Sequence, residues 1–263
     1  MLSRLTRPQA LAVCAAPVVA LLATAVFAPL PFSVAQPGMT ADVLGEHRGT
    51  PVITISGAPV RETSGELRMT TIEATSPDTR VGLPDVLDGW FDTDRAVMPR
   101  DAVYPSGDDL KEIERYNREQ MEASQDEATE AALDHLGLED EDIEVGLELA
   151  DVGGPSAGLL FSLGIVDKLD GDGSGGDLTG GRVVAGTGTI DADGTVGAVG
   201  GVPLKTQAAR RDGATVFLVP EAECAEARTE LPEGLRLIPV TTLEGAVDAL
   251  VALEKGGGGV PSC

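Results

Sequence analysis

Polar and apolar positions divide the chain into three regimes. From Pro8 to Ala41 no charged residue occurs, and the densest apolar stretch runs from Leu11 to Leu30. About 20 consecutive apolar residues can cross a bilayer as a helix. Arg4 and Arg7 precede the run, and basic flanks favour the cytoplasmic side, so the remainder is expected to be translocated. Ser33-Val34-Ala35 also has the small-x-small pattern of a leader-cleavage site. Two addresses therefore stand open, a retained single span or a secreted protein freed of its leader.

The second regime mixes short β patterns with one long helical one. Pro51–Ile55 and Leu67–Glu73 read as strands from their β-branched, partly alternating residues. Thr75–Gly107, with proline, glycine and aspartate throughout, reads as irregular. From Asp108 to Leu136 the apolar residues Leu110, Ile113, Met121, Ala128, Ala131 and Leu136 recur near helical spacing, which predicts an amphipathic helix.

The third regime alternates after an acidic turn at Glu139–Asp142. It predicts a strand over Ile143–Leu149, a helix over Ser156–Leu169, and an acidic glycine loop over Asp170–Gly176. A hairpin is expected over Arg182–Val199, turning near Asp193-Gly194. Pro203 is placed to open a helix reaching Asp212. Strands at Ala214–Val219 and Leu235–Val240 and a closing helix at Leu243–Leu253 complete the series. The class is a mixture of helices and strands, with no internal repeat.

Composition changes this picture in two places. The formal net charge is −24 with no Lys/Arg cluster, which leaves nothing to neutralise phosphates and excludes a nucleic-acid partner. Cys14 lies in the apolar run, leaving Cys224 and Cys263 for one disulfide or two free thiols.

The candidate chemistry starts at Gly154-Pro155-Ser156-Ala157-Gly158, a Gly-x-Ser-x-Gly pattern that suits a serine nucleophile on a sharp turn. A helix starting at the serine would aim N–H groups and positive dipole, near Gly154 and Ser156, at a developing oxyanion. A plain glycine-rich turn with Ser156 as helix cap satisfies the same pentapeptide. The serine needs a base, and both histidines, His47 and His135, precede it, which removes the α/β-hydrolase order of serine before histidine. Among lysines, Lys168 lies about 18 Å along the same helix. Lys111 has acidic neighbours, and Lys255 borders a glycine tail. Lys205 follows Gly200-Gly201-Val202-Pro203-Leu204 at a helix start, an end that disfavours cations. Elimination leaves a Ser156–Lys205 pair. The acidic loop starts like a calcium loop but has Gly181 where a ligand glutamate is required, so no metal is expected.

The ordered motifs Gly-Pro-Ser156-Ala-Gly, Ala185-Gly186-Thr187-Gly188-Thr189-Ile190 and Gly200-Gly201-Val202-Pro203-Leu204-Lys205 resemble the proteolytic domain of Lon proteases. Val216-Phe217-Leu218-Val219-Pro220 continues the resemblance, which covers about Ile143 to Leu253. It implies an α+β Lon-type fold, a serine endopeptidase acting on a protein or peptide substrate, and a Ser–Lys dyad at Ser156 and Lys205. Thr187 would orient the lysine. Homo-oligomers, hexameric rings in many such domains, are an option that the resemblance opens. No Gly-x-x-x-x-Gly-Lys-[Ser/Thr] occurs, so ATP-driven unfolding is not expected, nor any cofactor. Many Lon domains have aspartate three residues before the serine, where Gly153 stands here.

The N-terminal half resembles a narrower group, the YlbL-like membrane-anchored Lon-domain proteins, through Pro37-Gly38-Met39-Thr40, Asp42-Val43-Leu44-Gly45, Ser64-Gly65-Glu66-Leu67 and Met69-Thr70-Thr71-Ile72. Members usually carry a PDZ domain before the peptidase, and Leu138–Asp142 leaves no room for one. This resemblance implies a retained anchor with the catalytic domain extracytoplasmic. The expected division is residues 1–36 as anchor or leader, 37–138 as a β/helix extension, 139–255 as the proteolytic domain and 256–263 as a flexible tail. Two rivals remain: a non-catalytic envelope protein that binds or assembles on the same fold, and a protein that processes only itself.

Overall fold

A computed structural model describes residues 6–107, 109–149 and 152–263. Arg4, one of the expected flanking arginines, and Asp108, the expected start of the long helix, lie outside the described residues. The first element is helix α1 (Arg7–Phe27), whose apolar part Arg7–Val26 is long enough to cross a membrane and is not buried in the domain. Strands β1 (Phe32–Asp42), β2 (Glu46–His47), β3 (Thr50–Pro51), β4 (Ile53–Ser56) and β5 (Glu66–Ala74) follow. Next come α2 (Leu83–Phe91), β6 (Ala96–Pro99), α3 (Arg100–Val103), α4 (Leu110–Leu136) and β7 (Glu144–Leu147). The remainder comprises α5 (Gly158–Leu169), β8 (Val183–Gly186), β9 (Thr189–Ile190), β10 (Val196–Gly197), α6 (Val202–Arg211), β11 (Val216–Pro220), α7 (Cys224–Ala227), β12 (Arg236–Val240) and α8 (Leu243–Glu254). The class is α+β, as expected.

The centre is a six-stranded sheet in the order β12-β11-β8-β5-β1-β6. The four strands from β12 to β5 run parallel, and β1 and β6 join antiparallel. Alternation along β11 explains the layering, because successive strand side chains point to opposite faces. Val216 and Leu218 enter a core built with α4, α5 and α8, including Phe161, Leu163 and Leu250. Phe217 and Val219 enter a second core on the other face, with Val202 and Ala209 of α6 and Ala227 of α7. The sheet therefore lies between two helical layers, and it crosses residue 138 without a break.

Several expectations change. Thr75–Gly107 is not irregular throughout, since it holds α2, β6 and α3. Arg182–Val199 is not one hairpin. β8 enters the central sheet between β5 and β11, and only β9 and β10 pair with each other across Asp191–Thr195. Burial on both faces suits a parallel strand better than a hairpin arm. β1 takes up the end of the uncharged run, and Ser33 and Ala35 of the cleavage-like triplet are buried within it. Cys224 and Cys263 form a disulfide with Cα atoms 5.4 Å apart, which ties the tail to α7.

Candidate active site

Ser156 sits on the turn before α5, and α4 and the β8–β9 connection hold that turn from two sides. On the α4 side, Asn117 accepts the Gly154 N–H through its carbonyl oxygen at 3.2 Å, and Ser124 Oγ donates to the Pro155 carbonyl at 3.1 Å. Gly153 is the position where many Lon domains have aspartate. A side chain there would run into Asn117 Cβ at 2.7 Å, so glycine permits the close approach of α4. Gly158 is required for the same reason, since a Cβ would meet Ser124 Oγ at 2.8 Å and Ile190 Cγ2 at 2.9 Å.

On the sheet side, the Ser156 carbonyl accepts the Gly188 N–H at 3.1 Å and the Thr187 hydroxyl at 3.3 Å. Leu159 N–H returns a bond to the Gly188 carbonyl. Thr187 is fully buried at the end of β8, where its own N–H donates to the Leu218 carbonyl. The serine turn is thus fastened to the central sheet by backbone groups.

Lys205 comes from the first turn of α6. Gly201 caps that helix at φ +70°, with Ile72 of β5 2.9 Å from where a Cβ would stand, so the glycine sets both the turn and its packing on the sheet. Lys205 is 3% exposed, where an ordinary surface lysine would face solvent. Its Nζ donates to Thr187 Oγ1 at 3.0 Å. Burial pushes the ammonium down from 10.5 to about 8, against the opposing pull of Glu223 and Glu226. Glu223 is itself raised, chiefly by burial and then by Glu226.

Ser156 and Lys205 line one cleft of about 510 Å³, with Thr187 bonded to both residues. Ile72 and Ala74 of β5 supply apolar wall, and Met98, Ala102, Val103 and Tyr104 supply another part from β6, α3 and the turn after it. Tyr104 is fixed by its hydroxyl, which donates to the Thr75 carbonyl at 2.7 Å. Gly154, expected to offer its N–H towards a substrate, has that N–H bonded to Asn117 instead. His47 and His135 lie on β2 and at the end of α4, and neither lines this cleft. Lys168 is turned away as well, with its Nζ donating to the Leu44 carbonyl at 3.0 Å.

Sequence reasoning passed over Asn117, Ser124 and Tyr104. The first two carried a signal: they fall on the same stripe of α4 as Ile113, Met121 and Ala128, where an apolar residue is the norm. Tyr104 carried none, because the segment around it has no period.

Comparison with known proteins adds family to geometry. The family model for the Lon protease (S16) C-terminal proteolytic domain matches residues 107–252. An archaeal Lon protease from Methanocaldococcus jannaschii is 39% identical over 72 residues, 27% of this chain and 11% of that protein. The chain thus spans only about a tenth of that relative's length. The family match covers more than half of the chain and includes Ser156, Thr187 and Lys205: the protein belongs to the Lon protease (S16) C-terminal proteolytic domain family.

Proposed function

We propose that this protein is an ATP-independent serine endopeptidase that uses Ser156 as nucleophile and Lys205 as general base. The observation that carries the reading is the buried lysine. At 3% exposure and with Thr187 accepting its hydrogen bond, Lys205 has a neutral form within reach of ordinary pH. Neutral Lys205 takes the proton from Ser156 Oγ as Oγ bonds to the substrate carbonyl carbon. The Ser156 N–H and the positive end of α5 stabilise the resulting oxyanion. Lys205 then gives its proton to the leaving amine, the C–N bond breaks, and an acyl-serine remains. Water, deprotonated by the same lysine, releases the acid and restores the serine. The apolar walls from Ile72, Met98 and Val103 support a substrate with an aliphatic side chain beside the scissile bond.

We further propose that α1 is retained as a membrane span with the catalytic domain extracytoplasmic. Cleavage after Ala35 would remove Phe32–Ala35, which pair with Ala96–Pro99 of β6 in the central sheet. The disulfide supports an oxidising compartment.

The test is hydrolysis of an unstructured polypeptide by the full chain in detergent without nucleotide. Wild type should release fragments, and Ser156→Ala and Lys205→Ala should release none. Equal cleavage by all three would overturn the assignment.

A further inference from the structure

Helix α2 has three sectors. Val86 and Gly89 face inward, and a Cβ at Gly89 would meet Val97 of β6 at 2.9 Å. Asp85, Asp88 and Asp92 line a second side. The third presents Leu87, Trp90 and Phe91, spaced i, i+3, i+4, at 41%, 71% and 86% exposure. Three large apolar side chains sharing one stripe of a nine-residue helix call for a partner, whereas scattered ones do not.

The position of α2 identifies that partner. The Leu30 N–H, just past α1, donates to the Val81 carbonyl at 2.8 Å, just before α2. A Cβ on Gly82, the residue that caps α2, would lie 3.6 Å from the Val26 carbonyl at the end of α1. At 1.5 Å per residue α2 is only about 14 Å long, so its whole apolar stripe stays close to the point where α1 leaves a bilayer. Tryptophan is enriched at that depth, and a helix with Trp, Phe and Leu on one side and charge on the other lies in the interface plane.

We infer that α2 seats Leu87, Trp90 and Phe91 in the lipid interface around the exit of α1, and so fixes the domain on the bilayer at a set orientation. The inference rests on the reading of α1 as a retained span. The occupant is lipid: apolar side chains enter, and the aspartate sector stays in water. β6 and α3 follow α2 directly and supply Met98, Ala102 and Val103 to the cleft, so the seat also fixes the height of the cleft above the membrane.

Trp90 is the only tryptophan of the chain, so emission excited selectively from tryptophan reports this stripe alone. The experiment reconstitutes the full chain in phosphatidylcholine vesicles with and without lipids brominated near the headgroup end of the acyl chain. Vesicle flotation after alkaline wash reads the α1 span separately. The expected result is flotation together with blue-shifted emission that brominated lipid quenches roughly twofold or more, independent of salt. The Leu87→Asp/Phe91→Asp variant should float and melt like wild type but lose the quenching. Flotation with red-shifted, unquenched emission would overturn the seat and leave the span standing. Loss of flotation would overturn the span reading and the seat with it. Emission that shifts with protein concentration and ignores brominated lipid would assign the stripe to a second copy and overturn the proposal.

Discussion

Replacing Lys205 with methionine should abolish activity and yet make the protein more stable at neutral pH. The reasoning starts from burial, the main cause that brings the lysine from 10.5 to about 8. Below pH 8 the amine is charged in both folded and unfolded chains, so folding carries the full cost of burying an ammonium. Between about 8 and 10.5 the unfolded chain holds a proton that the folded one has lost, and stability rises with pH across that window. Above 10.5 the cost has gone. The gap, at ~1.4 kcal/mol per pH unit, is about 3 kcal/mol. Methionine fills similar volume without charge, and exchanging a buried charge for an apolar side chain of like size is often stabilising. It also forfeits the hydrogen bond to Thr187, worth about 1 kcal/mol, leaving a net gain of about 2 kcal/mol at pH 7. For a chain of this size that is a rise in Tm of roughly 4–8 °C. Melting curves of full-length wild type and variant in the same detergent at pH 7 and 10.5 measure it, and the difference between the two proteins cancels other titrations. The gain should vanish and reverse to a deficit of about 1 kcal/mol by pH 10.5, where only the lost hydrogen bond remains. A variant less stable than wild type at pH 7, or a difference that ignores pH, would refute the argument.

Three further outcomes are expected. Cys224→Ser/Cys263→Ser opens a loop of 39 residues and should cost about 4 kcal/mol, read as a lower Tm that reductant no longer changes. Thr187→Val keeps the shape but removes the link between Lys205 and the Ser156 carbonyl, and should slow modification of Ser156 by a serine-directed electrophile about 10- to 100-fold without loss of fold. Asp167 is fully buried on α5, with Oδ2 unpartnered among the described residues, and burial raises it to about 6. Because its folded value lies above the unfolded one, it lowers stability as pH rises from about 4 to 6. Asp167→Asn should therefore be more stable than wild type by about 1–2 kcal/mol at pH 7 and equal to it at pH 4, checked by denaturant titration.

The parts of the fold legible in sequence were those with a long period or a dense β-branched run. α4, with its stripe from Ile113 to Ala131, matches its expected span to within two residues, and β11, β12 and α8 are placed similarly. β1 was hidden because Phe32–Ala41 continues the uncharged run of α1, and a buried strand and a membrane span use the same residues. α2 and β6 were hidden because a nine-residue helix and a four-residue strand are too short to repeat a period and lie among prolines and aspartates. Ser156 and Lys205 could be reached by inventory, since no histidine follows the serine and the other lysines are removed by distance or position. Their shared cleft could not be, because it depends on β8 pairing with β5 and β11 rather than turning back as a hairpin, and on α4 approaching at Gly153 and Gly158.

The central claim is that Lys205 activates Ser156, and covalent labelling tests it most directly. The full chain in detergent is treated with a serine-directed electrophile across pH 6 to 10, and adducts are mapped by mass spectrometry beside Ser156→Ala and Lys205→Ala. The account predicts one adduct, on Ser156, forming about tenfold faster per pH unit up to a plateau near pH 8 and absent in both variants. Labelling of Ser156 that persists at the same rate in Lys205→Ala, or no labelling of Ser156 at any pH, would contradict it.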